Sequence, residues 1–420
     1  MKLALFGGQK IRTESFPKHP VIGIEEKNAI LKVLESGNLS TFRAETGSNF
    51  LGGLKIKEFE KDFANFIGTQ FAVSFNSATS ALHAAVVSLG IQPGEEVIVP
   101  PYTFTSTATS VLMHNAIPVF ADVQPDIFCI DPKSIEERIT KFTKAIIPVH
   151  LFGHPAEMDE IMDIAKKYNL KIIEDCAQAI GAKYKGKKVG SIGDCGVFSF
   201  QETKAVSTGE GGMLVTNDEN IAHVARMVRN HGEAILDSES KRTYKSEFLG
   251  WGYRMTEIEA AIGIEQLKKL EQSNNIRKKL AHGLSEIINN VDGLSHIKKE
   301  YVDHVYWFYA FTFDEAKIGI SRDQFVSALN AEGIPFGQGY VRPLYLNPIY
   351  HENKPFPYTV YKGNASYEKG LCPVTELLHE KKLVSTLILR PPANEKDLND
   401  VIATINKILE NKHEFLENRI

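Results

Sequence analysis

Four stretches of the sequence hold residues whose types and spacing can do chemistry, and each directly follows or contains an apolar run. Residues 198–218, FSFQETKAVSTGEGGMLVTND, carry Lys204 on a short polar segment between an apolar run and a glycine-rich turn. An amine held there, with glycines that let a flat ring approach, suits a Schiff-base lysine, although most lysines are simply solvated. Residues 171–182, KIIEDCAQAIGA, place Glu174 and Asp175 at the carboxyl end of an apolar run. A carboxylate there pairs with a protonated heterocyclic nitrogen or caps the next element. Residues 76–85, NSATSALHAA, open a helix with small side chains around Ala78 and Thr79. Backbone N–H groups at such a start attract an anion, and a plain N-cap has the same composition. Residues 101–110, PYTFTSTATS, offer Phe104 as a flat face for a stacked ring or as core. A phosphate cradle, a stacking aromatic, a carboxylate for a ring nitrogen and a lysine for an aldehyde are together what pyridoxal 5′-phosphate requires.

These segments need a scaffold, and the pattern around them supplies one. Between about residues 55 and 216 short β-branched runs (FAVSF, EVIVP, IPVFAD, KAIIPVH, LKIIED) alternate with amphipathic stretches. Continuous apolar runs are what strands covered on both faces look like. Their alternation with helices predicts right-handed crossovers and a mainly parallel sheet. Ligands of such sheets gather beyond the carboxyl ends of the strands. After Thr216 the pattern predicts helices over 219–231 and 256–270, then a charged spine helix over 271–289. Past 292 an aromatic run, HVYWFYAFTF, and helices over 322–331 and 395–410 predict a smaller α+β domain. The reading is therefore an α/β chain. Residues 1–290 form an N-terminal arm and a large domain, with helices on both faces of the sheet and a connecting helix, and 291–420 form the small domain.

Composition narrows the class. The chain has 420 residues, 43% hydrophobic and 24% charged, with 48 basic against 52 acidic side chains. A net charge of −4 gives no bulk attraction to nucleic acid or to an anionic membrane. No apolar run reaches the roughly 20 residues of a membrane helix, and the first residues lack a signal-peptide core. Cys129, Cys176, Cys195 and Cys372 are far apart and read as buried thiols of a reducing compartment. A cytoplasmic protein is the expectation. His150 and His154 leave a strand into a Gly-Pro loop and do not share a helix face, so no metal site is expected. GEGG at 209–212 lacks the GK[ST] of a P-loop, no G-x-S-x-G elbow is present, and residues 186–188 read as a hairpin turn.

Over nearly its whole length the chain resembles the DegT/DnrJ/EryC1/StrS aminotransferases, the sugar-aminotransferase branch of fold type I. The resemblance rests on PGEEVIVPPYTF, PVFADV, TKAIIPVHLFG, IEDCAQAIGA, FSFQETK with TGEGG, and GYRMTEIEAAIGIEQLKKL, in this order. It implies that Lys204 is the catalytic Schiff-base lysine and proton shuttle. It further implies that Asp175 keeps the pyridine nitrogen protonated, that Gln178 contacts the ring near its phenolic oxygen and that Phe104 stacks on it. Ala78, Thr79 and Ser199 would hold the phosphate, with Arg254 and Tyr340 facing substrate. A homodimer is implied as well. Two departures bear on this. Many members carry Asn in a G-x-N-Y-R motif that reaches the phosphate from the neighbouring subunit, and here Gly252 stands in its place. A dehydratase branch replaces the lysine with His, and Lys204 argues against that branch. The resemblance implies transfer of an amino group from glutamate or glutamine to a keto group of a nucleotide-linked sugar. LALFGGQKIRT, SFQ and GYVRPLYLNP are instead similar to a group that aminates cyclitol ketones of the scyllo-inosose type with glutamine. Arg229, Lys241, Arg242 and Arg342 would suit a diphosphate, or are ordinary solvated surface.

Overall fold

A computed structural model describes residues 2–42, 51–233, 245–352 and 356–417. After two amphipathic helices, α1 (Ile24–Ser36) and α2 (Leu54–Ile67), the chain enters the alternating region. Strands β1 (Phe71–Phe75), β2 (Glu96–Val99), β3 (Ile117–Phe120), β4 (Thr143–Ile146) and β5 (Lys171–Asp175) are joined by α3 (Ala78–Ser88), α4 (Ser106–Met113), α5 (Pro132–Arg138) and α6 (Met158–Tyr168). A small hairpin, β6 (Lys183–Tyr184) and β7 (Lys187–Lys188), precedes β8 (Cys195–Ser199) and β9 (Gly212–Thr216). The hairpin turns at Lys185 and Gly186, both at positive φ. The main sheet runs β1-β9-β8-β5-β4-β2-β3. Its pairs are parallel except those made by β9, which returns antiparallel between β1 and β8. Strands β2, β3, β8 and β9 are buried throughout, as their unbroken apolar sequences require.

Two consequences position the site. The carboxyl ends of β1, β5 and β8 lie side by side around the reversed strand, and the β8–β9 connection carries Lys204 across them. Secondly, α7 (Glu219–Arg229) and α8 (Glu257–Asn289) follow β9. The helix expected over 219–231 stops at Arg229, because His231 turns into the left-handed region at φ 62°. The stretches 256–270 and 271–289 form one 33-residue helix, α8. Nothing between Leu270 and Glu271 can break it, and Thr256 and Glu259 cap its start reciprocally. Gly263 within it lies under the Phe59 ring, where a Cβ would stand 2.5 Å from the nearest ring carbon, so α2 packs directly on this helix.

In the small domain, strands β10 (Leu294–Ser295), β12 (Tyr309–Phe313), β14 (Leu383–Thr386) and β13 (Gly337–Gln338) form an antiparallel sheet in that order. β11 (Val302–Asp303) instead joins the β6–β7 hairpin of the large domain. Of the run HVYWFYAFTF only the last five residues are strand, and Tyr306 at φ 50° turns the preceding part aside. The helices Arg322–Ala331 and Glu395–Glu410 pack on the sheet through Phe325, Val401 and Ile405. Leu3 belongs to the same core. Buried Glu332 accepts the N–H groups of Ala4 and Ile11 and pairs with Lys407 at 2.8 Å, and Arg12 pairs with Asp397 at 2.8 Å. The start of the arm is thus held by the small domain.

Candidate active site

At the carboxyl ends of the sheet strands lies a cavity of about 470 Å³. Ala78, Thr79, Phe104, Asp175, Gln178, Ser199, Lys204 and Tyr340 all line it. Thr79 and Lys204, 125 residues apart in the chain, meet here because the strands they follow belong to one sheet.

The helix α3 opens this cavity with its N-terminus. Ser77 caps the helix by accepting from the Ser80 N–H, and the Thr79 hydroxyl lies 2.7 Å from that of Ser106. Helix geometry leaves the first-turn N–H groups at Ala78 and Thr79 without intrahelical acceptors. Gly212, at the start of β9, brings the reversed strand against this turn. A Cβ there would stand 2.4 Å from Ser77 backbone atoms and 2.5 Å from the Ala78 nitrogen. With the Ser199 hydroxyl beside it, this is a donor-lined cradle for an anion.

Asp175 ends β5 and is buried. Its carboxylate accepts from the Thr107 hydroxyl at 2.8 Å and from the Ala177 N–H at 3.1 Å. Both expected roles coexist, because the second bond is a local turn and the group still faces the cavity. Burial pushes its pKa above the ordinary carboxylate value, opposed by these two donors and by Lys204. A cationic ring nitrogen would supply the charge that the two neutral donors lack. Its neighbour Glu174 points the other way into a closed nest: Gly190, Ile192 and Gly193 N–H groups and His150 all donate to it. Since His150 Nδ1 accepts from the Ala156 N–H, its proton sits on Nε2, facing Glu174 at 3.0 Å. His150, Glu174 and Cys176 come together, yet the carboxylate is already saturated by donors and the histidine lone pair is used.

Gln178 is locked at both ends, accepting from the Phe152 N–H at 2.7 Å and donating to the Tyr340 hydroxyl at 3.0 Å. Burial raises Tyr340 to about 12, so it stays a neutral phenol. Phe104 is 60% exposed, an open aromatic face at the rim and not a core residue. Desolvation lowers Lys204 to about 8, with Asp175 opposing. Its Nζ lies 3.8 Å from the centre of the Trp307 ring.

Arg254 does not line the cavity; it donates to the Asn230 side chain at 3.2 Å. Arg229 is a correction to the surface and diphosphate readings alike. It is buried, bonded at 2.6 Å to Glu60 and at 3.0 Å to the Ser74 carbonyl, because α7 packs its guanidinium behind β1. Arg342 is exposed on the loop after Tyr340, and Lys241 and Arg242 lie outside the described residues. Gly252 is exposed, and a Cβ there would stand 3.5 Å from the His231 ring and 3.9 Å from the Arg254 guanidinium, both ordinary contacts. Trp307 and Thr107 were not singled out from sequence, and Gln201 entered only as part of the SFQ stretch. Thr107 lay inside a stretch already read for Phe104, while nothing local to the aromatic run marks Trp307. All four cysteines are free and buried.

The lining fits the four-part requirement read from the sequence: an anion cradle, an aromatic face, a buried carboxylate and an amine of lowered pKa. Comparisons with known proteins identify the relatives of the chain. The model of the DegT/DnrJ/EryC1/StrS aminotransferase family matches residues 35–406. GDP-perosamine synthase of Caulobacter vibrioides is 40% identical over 302 residues, covering 71% of this chain and 79% of its own. A putative L-glutamine:3-amino-2,3-dideoxy-scyllo-inosose aminotransferase of Streptoalloteichus tenebrarius is 33% identical, the match covering 98% of each chain. Among solved structures, an aminotransferase from Psychrobacter cryohalolentis superposes with a TM-score of 0.85 at 31% identity, over 95% of this chain and all of that one.

Proposed function

The chain belongs to the DegT/DnrJ/EryC1/StrS aminotransferase family of pyridoxal-phosphate enzymes with fold type I, and on that premise we propose that it carries an amino group from glutamate or glutamine to a ring ketone of a nucleotide-linked sugar. The gathering of Lys204, Asp175, Gln178 and the α3 N-terminus in one cavity is the observation that carries the site assignment. The relative that makes GDP-perosamine supports the sugar reading.

When bound, the cofactor supplies an aldehyde that takes up the amine and a protonated ring that draws electrons from the donor's α-carbon. The chain's own groups do the rest. The first-turn N–H groups of α3, with the Thr79 and Ser199 hydroxyls, hold the phosphate. Asp175 holds the proton on the ring nitrogen, and Thr107 and Ala177 hold Asp175. Lys204, lowered to about 8, spends an appreciable fraction of its time as a neutral amine near neutral pH and so is nucleophilic. Its Nζ, once free, would carry a proton from the donor α-carbon to the cofactor in the first half-reaction and from the cofactor to the acceptor carbon in the second. Phe104 would cover one face of the ring, and Gln178, held by the Phe152 N–H and the Tyr340 hydroxyl, would contact it near its phenolic oxygen.

A second reading, a cyclitol ketone with glutamine as donor, is supported by the putative L-glutamine:3-amino-2,3-dideoxy-scyllo-inosose aminotransferase that matches over 98% of both chains, and Gln201 offers a contact to a ring hydroxyl in either case. Its side-chain oxygen accepts from the Thr203 N–H at 2.9 Å and from the Thr203 hydroxyl at 2.7 Å. Only the amide oxygen can accept, so the NH₂ group is left for the cavity that Gln201 lines, where it suits a ring hydroxyl. Testing the two donors against a nucleotide-linked keto sugar and an inosose distinguishes the readings. Turnover of the keto sugar supports the first, turnover of the inosose alone replaces it with the second, and turnover of neither overturns both.

A further inference from the structure

Lys204 sits in neither a helix nor a strand, so its direction depends on what grips the backbone around it. Its N–H donates to the Gln201 carbonyl at 2.8 Å. The Thr203 carbonyl accepts from the Trp307 indole at 2.9 Å and from Arg390 at 3.4 Å. The carbonyl of Lys204 itself faces His19 Nε2 at 3.1 Å. The other ring nitrogen of His19, Nδ1, lies 3.2 Å from the carbonyl of Pro391. Both partners of this imidazole are therefore acceptors. A neutral ring has a single N–H and satisfies one of them while turning a lone pair on the other; an imidazolium satisfies both.

We infer that His19 is a positioning residue for Lys204: its ring ties the lysine's own carbonyl to the Pro391 loop, and its proton count sets how firmly. This rests on Lys204 being the lysine that takes up the cofactor. Burial holds His19 below the ordinary histidine value, helped by the facing cations Arg390 and Arg277 and opposed by the Lys204 and Pro391 carbonyls that favour a proton on each nitrogen. The ring also borders a cavity of about 690 Å³, through which solvent protons reach it. The charged groups across that cavity are already paired, Lys269 with Glu25 and Glu26, and Lys279 with Glu395. Near neutral pH one proton serves two carbonyls, and in acid both are held.

The test uses the full chain freed of cofactor, with pyridoxal phosphate added and the growth of the visible absorption band timed from about pH 5 to about pH 9. Circular dichroism and the thermal midpoint report folding of each variant. For the parent protein the rate should climb through the Lys204 value near 8, with a second inflection below 6.5 from His19. His19→Ala should slow the reaction about tenfold, the scale of one lost hydrogen bond to a positioned group, and erase the acid inflection. His19→Asn keeps one permanent amide donor, so it should recover much of the rate without the inflection; it also carries the test if the alanine variant does not fold. An acid inflection that survives in a folded variant, or equal losses in both variants that follow their thermal midpoints, would overturn the inference. Lys204→Met is the control: a band forming there at the parent rate would overturn the Lys204 assignment and with it the role of His19, whereas a lysine-dependent band whose rate ignores His19 would overturn the inference alone.

Discussion

Lys204 concentrates the chemistry in one atom, and the sharpest expectations attach to it and its partners. Lys204→Met should abolish both half-reactions while the protein stays folded; turnover equal to the parent would remove the residue from the mechanism. Asp175→Asn keeps the Thr107 and Ala177 contacts in shape yet loses the charge opposite the ring nitrogen. The loss of donor half-reaction rate should be about a hundredfold, measured by single-turnover absorbance. The pH dependence has a defined sign. A lysine lowered by burial becomes a neutral nucleophile as pH rises through about 8, so cofactor uptake should accelerate across that value and level off above it. Lys204, Asp175, Ala78 and Thr79 were legible in the sequence because each is announced by its own neighbours: an apolar run, then a polar residue at its carboxyl end. Trp307 and His19 were not. Each reaches the lysine from a different part of the chain, and only tertiary packing brings them there.

How the helices and strands deliver these groups is tested by the residues between them. Gly212 has no side chain, and that lets β9 lie against the first turn of α3. Gly212→Ala should push that turn away, costing about 1–3 kcal/mol of strain and weakening cofactor affinity at least about tenfold in an equilibrium titration. Retained affinity would show that the cradle is built elsewhere. The arm is held by ions buried in the small domain. Arg12→Ala leaves Asp397 buried and short of a partner, and the unfolding free energy should fall by about 3 kcal/mol. Strand positions and the outer helices followed from periodicity, because the same apolar spacing that marks them also buries them. The sequence pattern split α8 at 270 only because its composition changes from apolar to charged there, which affects which face is wet and not whether the helix continues.

For the molecule as a whole, the expectation of a mainly parallel sheet with helices on both faces and a smaller α+β unit was readable, since strand–helix alternation admits few other layouts. The gripping of Lys204 by residues of the arm and of the C-terminal half was not, because no local pattern encodes contact between distant segments. Among the described residues no helix is long and apolar enough to cross a membrane. The resemblance to the family implies a homodimer. Sedimentation as a monomer at micromolar concentration would contradict it. The central claim, that this cavity is a pyridoxal-phosphate aminotransferase site built on Lys204, is tested most directly by a visible absorption spectrum of the full protein with cofactor, before and after addition of L-glutamine and then L-glutamate. A yellow band that one of these donors bleaches, and that is absent in Lys204→Met, is the predicted result. A band that neither donor changes, or the same band in the variant, would contradict it.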